Sequence, residues 1–156
     1  MSVWHDREEL SVKGKEDTEG IKDMGHHIKN LLVDVEHCGF DRSNIVLGGF
    51  SQGGHLALHA VYGQGLKVGA AFSLSSFLCE KSVVFNREET ATNVGPPLFM
   101  SSGELDKMVP VGWVEATRVR LEDIGVKIDF STRPGIGHEM DKQQLNQLFQ
   151  WIDNKI

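Results

Sequence analysis

The sequence predicts an α/β domain built on a mostly parallel central sheet in three layers, and three observations carry that prediction. Helical and extended hydrophobic patterns alternate along most of the chain. The extended segments are short continuous apolar runs, the pattern of strands buried on both faces. The 156 residues, 40% hydrophobic and 24% charged, suffice for one packed core. No internal repeat, low-complexity tract or linker divides them, so residues 1–156 read as one domain.

Ile21, Met24, Ile28, Leu31, Leu32 and Val35 recur at helical spacing after Asp17-Thr18, and Gly39 supplies a stop. This predicts an amphipathic helix over Thr18 to Cys38. Gly20 and Gly25 weaken it by about 1 kcal/mol each relative to alanine, so its stability must come from packing its apolar stripe. The turn-forming run Phe40 to Asn44 leads into Ile45 to Phe50, a strand. A helix near Gln52 to Tyr62 follows, then strands at Val68 to Leu74 and Leu98 to Ser101, and a helix at Gly112 to Ile124. A strand at Val126 to Ser131 and a helix from about Asp141 complete the series. Ser75 to Pro97 is irregular and too long for a simple turn, and connections of that length are usually functional or mobile.

The 22 acidic and 16 basic residues leave a formal charge of -6, which argues against a nucleic acid or an anionic membrane surface as partner. Cys38 and Cys79 lack the C-x-x-C spacing of a zinc or redox site and read as buried thiols in a reducing compartment. The amino terminus has neither a basic region nor an apolar core, and no stretch approaches a membrane span. The expected location is the cytosol.

Gly49-Phe50-Ser51-Gln52-Gly53 matches G-x-S-x-G between a strand and a helix. A strand that turns sharply into a helix holds its central residue in a strained conformation, and glycines at both ends are expected to let the segments pass. With 17 glycines and 11 serines, roughly 0.13 such matches arise by chance, so the strand-turn-helix context supplies the weight. A phosphate-binding turn would need a P-loop lysine, which Gly53-Gly54-His55 does not provide.

A serine hydroxyl needs a histidine base oriented by a carboxylate. Once His55 and His59 are assigned to the helix, His138 is the one histidine downstream of Ser51, in a loop beyond the last strand. The loop Ser102 to Asp106 follows the preceding strand and offers two acids, Glu104 and Asp106. His55 and His59 have the i, i+4 spacing of a metal pair, yet nothing near them in sequence suggests a third ligand, so no metal site is expected. His26, His27 and His37 belong to the polar side of the first helix, while Trp113, Phe149 and Trp151 read as core. Phe77 and Leu78 leave a strand's carboxyl end, where an acyl chain would bind in an open α/β sheet, although plain packing explains them equally.

These residues together resemble a known family. Trp4-His5-Asp6, Asp17 with Gly20-Ile21, the run Arg42 to Gly54, Gly103-x-x-Asp106-x-x-Val109-Pro110 and Gly137-His138 are similar to the acyl-protein thioesterase and lysophospholipase family of α/β-hydrolases, over nearly the whole chain. Leu74 to Leu78 resembles the lysophospholipase-like subgroup. The resemblance implies Ser51 as nucleophile, His138 as base, Asp106 as orienting acid and the Gln52 amide as an oxyanion donor. It also implies a cytosolic hydrolase of protein acyl thioesters or small carboxylic esters that uses no cofactor. Ser102 replaces the histidine that the family usually places before Gly103, a change expected to affect packing more than chemistry. The Leu-His-Gly loop that donates a second oxyanion N–H has no counterpart, since the chain contains no His-Gly dipeptide. The chain therefore reads as an α/β-hydrolase domain without its amino-terminal strands. Two expectations follow from that. The strand Ile45 to Phe50 becomes an edge open to pairing with a second copy, and the alternative to a hydrolase is a non-catalytic chain that binds an acyl ligand or a protein partner.

Overall fold

A computed structural model describes residues 5–6, 9–86 and 95–156. Trp4 and residues 87–94 of the irregular stretch lie outside them. Helix α1 spans Thr18–His37, strand β1 Val46–Phe50 and helix α2 Gln52–Leu58, which runs on into a π-helical turn at His59–Gly63. Strands β2 (Ala70–Leu74) and β3 (Leu98–Gly103), helix α3 (Val111–Asp123), strand β4 (Ile128–Arg133) and helix α4 (Lys142–Asp153) follow. The four strands pair in parallel in the order β1-β2-β3-β4. Strand limits differ from the sequence reading by up to two residues because partners set them: β3 extends to Gly103 where its register with β4 runs to Arg133.

Alternate strand residues feed two cores on opposite faces of the sheet, which gives the three layers. Ala71, Leu98 and Met100 join Leu32, Leu58, Val114 and Leu121 from α1, α2 and α3. Ala70, Leu74 and Phe99 pack with Leu148 and Trp151 of α4. β3 is buried along its whole length, as expected for an interior strand covered on both sides. β1 is only half-buried, against the expectation of two covered faces, and it is an edge of the sheet among the described residues.

α1 begins where the Asp17 side chain accepts the Gly20 amide at 2.9 Å, one of the four orphan donors of a helix start. Of its predicted apolar stripe Leu31 is exposed, because only one edge of α1 reaches α2 and the π turn. On α4 the buried positions are Gln144, Leu148 and Trp151, at i, i+4 and i+7, and Phe149 falls on the outer side and is exposed. Gln144 is a polar residue at a core position because its Nε2 donates to Ser101 Oγ at 3.0 Å. Trp151 donates its indole N–H to Asp129 at 2.6 Å, whereas Trp113 is half-buried against the Phe77 ring. Cys79 is a buried thiol, but Cys38, which caps the exposed end of α1, is not.

Candidate active site

Ser51 stands between β1 and α2 with φ 53° and ψ -120°, a conformation that costs a non-glycine residue of order 1–3 kcal/mol. The fold holds it there from both sides: its N–H donates to Leu74 O at 2.8 Å, and its carbonyl accepts the His55 N–H at 3.1 Å. The glycines around it divide differently from expectation. A Cβ on Gly49 would lie 2.4 Å from the Gly53 carbonyl carbon, and one on Gly54 would lie 2.8 Å from Ser76 Cβ and 2.9 Å from Gly49 O. A Cβ on Gly53 meets nothing within 4 Å. The close approach is therefore made by Gly49 and Gly54, while Gly53 supplies backbone to the crossing but is not itself crowded. Gly49→Ala and Gly54→Ala are each expected to lower stability in urea unfolding by about 1–3 kcal/mol. Gly53→Ala, now a better helix former at an open position, should raise stability by up to about 1 kcal/mol; a loss equal to that of Gly49→Ala would contradict this assignment.

The acid loop after β3 and the histidine loop after β4 meet beside Ser51. Asp106 sits in a tight turn where its Oδ1 accepts the Met108 and Val109 amides at 2.9 and 2.7 Å. Its Oδ2, buried, lies 2.7 Å from His138 Nδ1, and His138 Nε2 lies 3.0 Å from Ser51 Oγ. With hydrogen on Nδ1, His138 donates to Asp106 and accepts from Ser51. The Phe50 ring, 4.7 Å from the imidazole centroid, backs it on the β1 side. Gly103 lets the two loops touch, since a Cβ there would lie 2.3 Å from Ile136 O and 2.5 Å from Gly137 O. Glu104, the alternative acid, is turned away: its Oε1 accepts from Thr132 Oγ1 at 2.7 Å on the exposed side.

Gln52 opens α2 next to Ser51, and its side-chain Nε2 donates to His5 O at 2.9 Å. Phe77 and Leu78 are buried in the core; Phe77 packs on Trp113, and the Leu78 amide donates to Thr117 Oγ1 at 2.9 Å. One grouping escaped the sequence. Glu16, in the turn before α1, brings its Oε1 to 3.3 Å from His55 Nε2 and 3.2 Å from His59 Nε2, which supplies the third group the spacing alone did not suggest. Burial pushes the Glu16 carboxyl up, but the hydrogen bonds and charge of the two imidazoles outweigh it and hold the group well below the usual carboxylate range.

Comparison with known proteins gives the chain a family. The family described as Phospholipase/Carboxylesterase matches residues 1–156, the whole chain. The chain belongs to that family. Lysophospholipase-like protein 1 of Mus musculus is 34% identical over 151 residues, which cover 97% of this chain and 63% of that protein. Acyl-protein thioesterase 1 of Gibberella zeae is 33% identical over 162 residues, covering 100% of this chain and 69% of its own length. The chain thus spans about two thirds of the length of these family members. Among solved structures, Arabidopsis thaliana SOBER1 superposes with a TM-score of 0.85 at 25% identity, over 97% of this chain and 73% of that one. Zea mays acyl-protein thioesterase 2, at 24% identity and a TM-score of 0.81, shares the fold over 97% of this chain and 71% of its own. The α/β-hydrolase fold and the lysophospholipase-like and thioesterase kinship read from the sequence both stand. No helix among the described residues is long and apolar enough to cross a membrane.

Proposed function

We propose that this chain is a serine hydrolase that cleaves acyl thioesters on protein cysteines or small carboxylic esters through an acyl-enzyme. The observation that carries the proposal is the relay from Asp106 Oδ2 through His138 to Ser51 Oγ, 2.7 and 3.0 Å long, ending on a serine held at positive φ. Ser51 Oγ attacks the carbonyl carbon while His138 Nε2 takes its proton, and Asp106 stabilises the imidazolium and fixes its tautomer. The tetrahedral intermediate collapses as His138 returns the proton to the departing thiolate or alkoxide. Water, deprotonated by His138, then releases the carboxylic acid and restores Ser51. The first N–H groups of a helix have no partner inside it, and the Gln52 amide serves in this scheme as oxyanion donor. Exposed Leu105, Met108 and Met140, close in sequence to Asp106 and His138, suit an acyl group over a charged substrate.

A fluorophosphonate probe tests the reading directly. The purified chain is expected to be labelled at Ser51, identified by mass spectrometry, and Ser51→Ala is expected to take up none. Absence of labelling in a folded sample would reject the hydrolase in favour of a ligand- or partner-binding chain. Labelled protein then justifies comparing an S-palmitoylated peptide with simple aryl esters as substrates.

A further inference from the structure

Glu16, His55 and His59 play no part in the relay, and their donor atoms converge. His55 and His59 follow one another by a turn, at the point where α2 passes into the π-helical turn, and both rings are buried. Both Nε2 atoms approach the same oxygen, Glu16 Oε1, and the Cys79 N–H also donates to it at 3.1 Å. A carboxylate oxygen has two lone pairs, so three N–H donors at 3.1–3.3 Å crowd it, each at or beyond the long end of the usual range. An ion removes that conflict, because it takes lone pairs from both imidazoles and from the carboxylate and leaves the Cys79 amide its acceptor.

We propose that Glu16, His55 and His59 form a binding site for one divalent transition-metal ion, zinc by the chemistry of the ligands. Bonds of about 2.0–2.2 Å in a tetrahedral zinc site set ligand atoms roughly 3.3 Å apart. That is the spacing from Glu16 Oε1 to each Nε2 here, and all three atoms lie within 4.8 Å of one another. Two imidazoles and a carboxylate suit zinc rather than calcium or magnesium, which prefer all-oxygen sites. Ser82 Oγ, 3.5 Å from His59 Nε2, borders the remaining position. A cavity of about 380 Å³ lined by Glu16, Asp6, Asp17 and Glu19, with Lys15 the one base among its described lining residues, offers a negative approach to Glu16. A second, of about 280 Å³ beside Gly63 and Val83, reaches His59. The ion would join the turn before α1 to the helix that carries Ser51 at its head, a structural role separate from the hydrolytic chemistry.

The test is a titration of the chelator-stripped chain with Co²⁺ as a spectroscopic stand-in, followed by displacement with Zn²⁺. One equivalent of Co²⁺ with the intense visible bands of a tetrahedral site is expected, together with a melting temperature that rises with zinc. His59→Gln and Glu16→Gln should weaken binding by more than the roughly 10- to 100-fold that loss of a mere outer-sphere partner costs. His26→Gln/His27→Gln, which alters exposed histidines on α1, should bind as before. X-ray absorption of the zinc-loaded unaltered chain, expected to show two imidazoles, decides the matter even where a variant fails to fold. No bound ion, binding that vanishes with His26 and His27, or a spectrum without imidazole overturns the proposal.

Discussion

His138→Ala is expected to lower kcat for ester hydrolysis by about 10⁶-fold, against the rate of this same chain with the histidine in place. The size follows from the proposed mechanism: one imidazole lies within hydrogen-bond reach of both Ser51 Oγ and Asp106 Oδ2 and would serve both, so removing it disables all three groups at once. The double variant Ser51→Ala/His138→Ala should therefore be no slower than either single one, because groups that act as a unit are not additive. Stability should change by no more than about 1–2 kcal/mol, since Asp106 keeps two amide donors and loses one hydrogen bond. Single-turnover kinetics and urea unfolding on the same samples separate the two effects. A rate loss below about 100-fold would remove His138 from the mechanism.

The second large effect distinguishes the two acids. Asp106→Asn should lower kcat by about 10⁴-fold, while Glu104→Gln stays within about threefold of the parent. The carboxamide introduced by Asp106→Asn would be held by the Met108 and Val109 amides, which require its carbonyl oxygen and so turn its NH₂ towards His138 Nδ1. Nδ1 must then accept, the ring proton moves to Nε2, and Ser51 loses the lone pair that takes its hydrogen. The Glu104 side chain accepts from Thr132 on the exposed side, away from these groups. Steady-state kinetics of the two variants, measured side by side, check the assignment; equal losses would refute it.

The order of elements and the relay's Ser-Asp-His sequence were legible because each depends on local signals: an apolar run, a turn, a helix stripe, a loop after a strand. Asp106 and Glu104 were not separable on those grounds, since they share one loop and only the turn that gives Asp106 two amide donors aims it at His138. The roles of Gly53 and Gly54 were equally hidden, because crowding depends on where β2 and Ser76 pass behind the elbow. Leu31 and Phe149 read as core by hydrophobicity alone, yet each lies just off the stripe its helix presents to its neighbours. Glu16 was the furthest from sight: it lies 39 residues before His55, in a turn with no periodicity, and only the way that turn folds back over α2 brings the two together.

The simple strand order carries a consequence for how the molecule forms. Among the described residues each strand after β1 pairs with its nearest predecessor in sequence, so this sheet can grow by successive addition without waiting for a distant segment. The relay does the opposite, for Ser51 and His138 are 87 residues apart and sit at the first and last strands. Capacity to react at Ser51 should thus be the final property acquired during refolding, appearing after the far-ultraviolet signal of the helices has recovered. Probe labelling at Ser51, followed against time, would then read out the closing step of folding.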